Sequence, residues 1–235
     1  MAGSSCFADA PLGLLEHRPD EVRDRHCHKH AFVAVVIDGG YQEAGDEGRW
    51  NVRAGDALIH HVFESHLDRF GAGGARVLVL SLPAQFAVTG YRGRVADADR
   101  LVRLAERDRH AASAHFAELF IATAPDLLDW PDMLADDLRR LDPFALSDWA
   151  EQKGVRAETL SRGFRSAYGC TPKSYRANVR ARAALAAVRM GGESFAEIAH
   201  RLHFADQAHM THAVAGLTGV PPGWWRRRQM DTRQR

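Results

Sequence analysis

The chain has no run of about 18 apolar residues, so no membrane-spanning helix is expected. Cysteine is scarce, with only Cys6, Cys27 and Cys170. An odd, widely spaced set predicts no disulfide framework and fits a reducing compartment. The opening stretch MAGSSCFADAPLGLLEHRPDE lacks a basic region followed by a long apolar core, so no secretory signal is expected. Together these absences predict a cytoplasmic protein without a membrane partner. Solenoid-type repeats are also missing.

Net charge of one sign is lacking as well: the whole chain carries +1. That figure hides an asymmetry. Residues 143–235 hold 15 Lys and Arg against 7 Asp and Glu, a balance of +8, and residues 1–142 carry −7. An acidic part joined to a basic part predicts that one of them meets a polyanion.

The texture changes along the chain in the same sense. From His26 to about Leu82 it is strand-like. AFVAVVI and RVLVLSL are β-branched and apolar, and DGG, EAGDEG, RAGD and GAGG punctuate them at turn spacing. After Pro83, the segments DADRLVRLAERDRH, SAHFAELFIATA and WPDMLADDLRRLD show helical periodicity, and the remainder reads as helix.

The basic part contains a weak internal echo. WAEQKGVRAETLSRGFRSAYGCTP and IAHRLHFADQAHMTHAVAGLTGVPP align Ala150 with Ala199, Leu160 with Met210 after one offset, and Gly169 with Gly219. Each reads as helix, tight turn, helix, then Gly and Pro, the outline of a helix-turn-helix. Between them TPKSYRANVRARAALAAVRMGG has Thr171 as a cap, Pro172 for the first turn and two glycines as a stop. Ser194 to Glu197, SFAE, is a capping box that opens the second unit.

These residues resemble the DNA-binding domain of the AraC/XylS family of bacterial transcription regulators. The ordered pattern of Ala150, Leu160, Arg162, Phe164, Gly169, Pro172, Arg180, Ala183 or Ala184, Ile198, Ala199, Phe204, Asp206, Gln207, Gly219, Pro222 and Arg226 carries the resemblance. It implies two recognition helices, near Ala157–Ser166 and Asp206–Ala215. On the first, the resemblance implies Glu158, Ser161, Arg162 and Arg165 as DNA contacts. Arg162 can donate two bonds to a guanine edge, Arg165 suits a phosphate, and Glu158 can accept from cytosine. On the second it implies Gln207, His209, Thr211 and His212, with Gln207 suited to adenine. The sequence departs from the family at several positions. Arg156 and Ala205 stand where a small hydroxyl cap is usual, His203 where Gly is usual, His212 for Arg, and Val214 for an aromatic.

The strand-like part, from about Arg25 to Leu82, resembles the cupin sensor domain common in that family. His28-Lys29-His30 fits its first motif, and Gly55 with His66 fits the second, although His61 replaces the Pro and Phe63 the Gly. The usual Glu is absent, with Ala34 and Val35 in its place. Alternation along a strand would put His26, His28 and His30 on one face. The resemblance implies a divalent site of His28, His30 and His66 for zinc, nickel or iron, with His26 or His60 as a fourth ligand. A metal-free ligand pocket and a solvated histidine cluster are the competing readings.

The expected fold class is α+β in two domains: an N-terminal cupin-like β-barrel, a helical connector, and an all-α tandem helix-turn-helix joined by a long helix. The expected divisions are 1–83 for the sensor, 84–128 for the connector and 129–235 for the DNA-binding domain. Leu101, Leu104, Phe116, Leu119 and Phe120 lie at helical spacing and read first as core packing; the family resemblance implies the connector as a candidate dimer interface. The expected function is regulation of transcription, without enzymatic activity, through double-stranded DNA, a small-molecule or metal effector and a homodimer. RNA polymerase would be the further partner of an activator. Two rivals stand beside it: a metal-dependent cupin enzyme with an accessory helical domain, and a degenerate family member that binds a protein partner.

Overall fold

The computed structural model describes residues 9–82, 90–123 and 129–233. The chain divides into two compact units, 1–128 and 129–235. The expected division between residues 83 and 84 lies outside the described residues.

The first unit is an antiparallel sheet with two helices. Its strands are β1 (Gly13–His17), β2 (Val22–Cys27), β3 (Phe32–Gly45), β4 (Gly48–Arg53), β5 (Asp56–His60), β6 (Ser65–Ser81), β7 (Arg92–Val95) and β8 (Phe120–Ala122). The order is β1-β6-β3-β5-β7-β8, with β2 also on β6 and β4 also on β3. The long β3 and β6 pair from Phe32–Ser81 to Gly45–His66, with register shifts after Val36 and Gly39 that bend the ladder.

The apolar run AFVAVVI is buried on both faces, which is why it does not alternate. Phe32, Ala34 and Val36 join Trp50, Phe70 and Val79 in one cluster. Val33 and Val35 join Ile59, Leu80, Leu101 and Phe116 in another. The second cluster includes α1 (Ala98–Arg107) and α2 (Arg109–Leu119). All five apolar side chains of the expected connector therefore pack against the sheet, with Leu101 and Phe116 wholly buried. Asp97 and Asp108 cap these two helices. The helical reading of SAHFAELFIATA fails at its end: Phe120–Ala122 is a strand paired with Gly93–Val95. Bulky and β-branched residues there favour a strand once an edge is available.

Cys27 is wholly buried, and Cys170 is a free cysteine. Among the described residues no helix is long and apolar enough to cross a membrane.

The second unit is helical: α3 (Trp130–Arg139), α4 (Leu146–Gln152), α5 (Ala157–Tyr168), α6 (Pro172–Met190), α7 (Phe195–Arg201), α8 (Gln207–Thr218) and α9 (Pro222–Arg233). Phe164, Tyr168 and Tyr175 form its aromatic centre, in ring contact with one another. The Tyr168 hydroxyl donates to Asp132 at 2.9 Å, and Arg139 donates to the Tyr175 oxygen at 3.1 Å, so the buried polar tips are satisfied.

His203, in the turn between α7 and α8, holds φ at +57° and is exposed. A side chain there costs about 1–2 kcal/mol, and a glycine gives back about 0.5–1 kcal/mol in unfolded-state entropy. His203→Gly should therefore raise the stability of this unit by about 0.5–1 kcal/mol. Denaturant unfolding followed by tryptophan fluorescence checks this, because four of the five tryptophans lie after residue 129. An unchanged or lower midpoint would refute the strain at this turn.

Candidate DNA-binding surface and barrel cavity

The second unit builds its two helix pairs on α6. Thr171 caps α6 by accepting from the Ser174 amide, Pro172 occupies the first turn, and Gly191 ends the helix. At 19 residues it is about 28 Å long. Two arginines one turn apart on α6 each hold a backbone carbonyl: Arg176 donates to Phe144 at 3.0 Å, and Arg180 donates to His203 at 3.2 Å. Phe144 precedes the first pair, and His203 lies in the turn of the second. The linking helix thus fixes both pairs.

In the first pair, α4 leads through Gly154, at φ +65°, into α5. Gly169, in the left-handed conformation, ends α5. Leu160 and Phe164 face the core, so Glu158, Ser161, Arg162 and Arg165 are left exposed on the opposite face. Arg156 stands at the N-cap and supplies no side-chain cap, as the sequence departure implied.

In the second pair, Ser194 and Glu197 form the expected reciprocal capping box. The cap of α8 is not Ala205 but Asp206, whose carboxylate accepts from the His209 amide at 2.7 Å. Gln207 and His212 are exposed, and Thr211 is half-buried. His209 folds back on its own turn: its Nδ1 accepts from the Ala205 amide at 3.4 Å, and its ring meets Phe204 edge-on. The aromatic absent at Val214 leaves a buried aliphatic instead. Behind α8, Trp225 donates to Thr218 at 3.1 Å, which ties α9 to it.

With this geometry in place, comparison with known proteins decides one point. Residues 149–228 match the family model described as a helix-turn-helix domain. This segment is a helix-turn-helix domain of the AraC type. It is a DNA-binding domain, and it covers about a third of the chain. No curated protein matches the chain in sequence. Among solved structures, ToxT from Vibrio cholerae O395 bound to (E)-4-(8-methylnaphthalen-1-yl)but-3-enoic acid is 9% identical, covering 92% of this chain and 98% of that one at a TM-score of 0.42. Another ToxT structure, from Vibrio cholerae, is also 9% identical, over 90% of this chain and 96% of that one, at 0.39. KdgF from Halomonas sp. is 18% identical over 31% of this chain and 69% of that one, with a TM-score of 0.26. At such scores the N-terminal unit has to be argued from its own residues.

That unit encloses a cavity with an empty volume of about 450 Å³, its open mouth included. Side chains from β1, β2, β3, β5 and β6 line it, among them His26, His28, Glu43, His60, His66 and Asp68. His26 lies directly across from His66 in the β2–β6 ladder. The loop from His61 to Glu64 is fastened to the β2 end, because the Phe63 amide donates to the His28 carbonyl at 2.8 Å. Phe63 stands at φ +61°, where the family motif has Gly.

Of the expected metal set, His28 and His66 meet, and His30 does not. β2 ends at Cys27, so strand alternation stops before residue 30. The His30 side chain is 75% exposed, with Nδ1 at 2.8 Å from an Asp9 oxygen. His26 takes its place. One donor group comprises His26, His28 and His66, and a second comprises Glu43, His60 and His66; within each, one donor atom per residue lies within 4.8 Å of the others. Glu43 is the residue the sequence reading missed. It sits on β3, 13 positions after His30, at the start of the EAGDEG segment that the sequence suggests is a turn.

Burial pushes His26, His60 and His66 below their ordinary range, His60 to about 3, so these imidazoles are neutral near pH 7. Burial pushes Glu43 well up, and Asp68 up to about 7.

Asp206→Ala removes the cap of the second recognition helix. It should cost about 1 kcal/mol of stability. DNA affinity should fall with it, because α8 loses its first turn. Thermal unfolding and titration with operator DNA check both, and an unchanged melting curve would refute the cap.

Proposed function

We propose that the chain is a transcription regulator: residues 129–235 bind DNA, and the cavity of the first unit takes the effector that controls this binding. The observation that carries the reading is the pair of exposed helix faces, on α5 and α8, in two helix pairs joined through α6. Major grooves on one face of B-form DNA recur about every 34 Å, and a rod of about 28 Å suits two readers in successive grooves.

Arg162 is assigned to base recognition, Arg165 to phosphate, and Ser161 and Glu158 to the edge of the same groove. Gln207, Thr211 and His212 serve the second groove. His209, engaged with its own turn, holds the start of α8 rather than reaching a base.

The effector is a small molecule or a divalent ion. The donor set fits an ion: neutral imidazoles and carboxylates converge, and the Nδ1 atoms of His60 and His66 are buried without a hydrogen-bond partner among the described residues. Two alternative donor groups that share His66 could hold it: His26 and His28 with His66, or Glu43 and His60 with His66. A bound ion would supply positive charge to a pocket that already buries two carboxylates. The effector would act by favouring one of two DNA-binding states.

The test is binding of the purified chain to its own upstream DNA across a salt series. Affinity should fall steeply with salt as counterions are released. Arg162→Ala should cost about 1–3 kcal/mol of specific affinity while non-specific binding changes less. Equal losses on specific and random DNA would move Arg162 to a phosphate, and binding to neither would sink the regulator reading.

A further inference from the structure

The β3–β6 register places Glu43 directly across from Asp68. Both side chains line the cavity, and the residues are 2% and 7% exposed. Like charges facing each other on a sheet repel, and burial strengthens the repulsion. The neighbouring Arg23 and Arg25 act on Asp68 and Glu43 respectively, but each makes its ion pair with another carboxylate. Arg25 pairs with Asp46, and Arg23, exposed, pairs with Glu21. Such a pair persists when a cation or a proton sits with it.

The surroundings favour a cation. His60 Nε2 is 3.4 Å from Glu43 Oε2, and His66 Nε2 is 3.9 Å from Asp68 Oδ2. The rings of His60 and His66 lie 4.5 Å apart. Both rings keep a buried nitrogen without a hydrogen-bond partner among the described residues. Two imidazoles with one carboxylate form a donor set that first-row divalent ions accept while keeping positions open. The group of His26, His28 and His66 offers three neutral nitrogens and no carboxylate of its own, so charge balance favours the group that contains Glu43.

Resting on the reading that the cavity takes a metal, we infer that the ion is held by Glu43, His60 and His66, with Asp68 beside it as the balancing charge. This assigns the ligand role to a carboxylate outside the expected motif and leaves His26 and His28 at the margin. The positions such an ion keeps open face the cavity, so a small anionic or neutral donor ligand could complete its coordination.

The experiment uses the full chain without an affinity tag, stripped of metal, titrated with Zn²⁺ by calorimetry and with Co²⁺ by visible absorption. The wild type should take one equivalent. Glu43→Gln, which keeps the shape, and His60→Ala should each weaken Zn²⁺ binding at least tenfold, and Glu43→Gln should shift the Co²⁺ spectrum. His26→Ala should change affinity less than threefold. Unfolding curves of the metal-free proteins identify any variant that fails to fold; Glu43→Gln then decides the matter. Loss in His26→Ala with none in Glu43→Gln would overturn the assignment and leave a metal on the histidine side. No binding by folded wild type would overturn both it and the metal reading, and would leave the carboxylate pair sharing a proton.

Discussion

The ladder between β3 and β6 is the constraint on which the first unit depends. Strands of 14 and 17 residues share a register that puts Glu43 across from Asp68 and Gly45 across from His66. A slip by one residue would send every cavity side chain to the opposite face. The register is held by burial on both sides of β3, since Val33 and Val35 belong to one apolar cluster and Phe32, Ala34 and Val36 to the other. The polar centre therefore exists because apolar packing outside it leaves the strands no alternative. Arg25 assists by bonding the Ala44 carbonyl at 3.0 Å beside its pair with Asp46, and Asp46 also accepts from the Ser65 amide at 2.9 Å.

The second unit depends on α6 in a comparable way. Its buried side, with Tyr175, Ala181, Ala184, Leu185 and Val188, packs against helices of both pairs. Arg176 and Arg180 then hold carbonyls at fixed points of each. Hydrogen bonds to backbone are insensitive to which residue supplies the carbonyl, which explains how His203 can replace Gly while the tie from Arg180 is kept.

The helical unit was legible in the sequence because its signals are local. Thr171, Pro172, Gly191 and the Ser194–Glu197 box each fix an end within four residues, and each end lies where the sequence places it. The cap of α8 was misplaced by one position: the resemblance puts it at Ala205, which has no side-chain acceptor, whereas the adjacent Asp206 has one and takes the role. The cavity was half legible. His28 and His66 follow from motif spacing, and His26 and His60 stand beside them as fourth-ligand candidates, but Glu43 reaches the cavity through strand register, which spacing along the chain does not encode. His30 was misread because alternation was extended past the end of β2.

Two residues with positive φ stand where the resembled motifs have glycine, and they obey different balances. Phe63 is 4% exposed. Its burial contributes about 1.5–3 kcal/mol, more than the roughly 1–2 kcal/mol that the left-handed conformation costs. The strained turn is thus held by the core, and its amide, donating to His28, fastens the cavity wall. His203 is exposed and gains no such burial. Its strain is carried by the contacts around the turn: the Arg180 bond to its carbonyl and the buried side chains of Leu202 and Phe204 on either side. Strain of this kind persists only where neighbours over-determine the backbone. Here it falls at the turn that leads into α8, and at the loop between the cavity residues His60 and His66, the two places where a fixed backbone matters most to the proposed function.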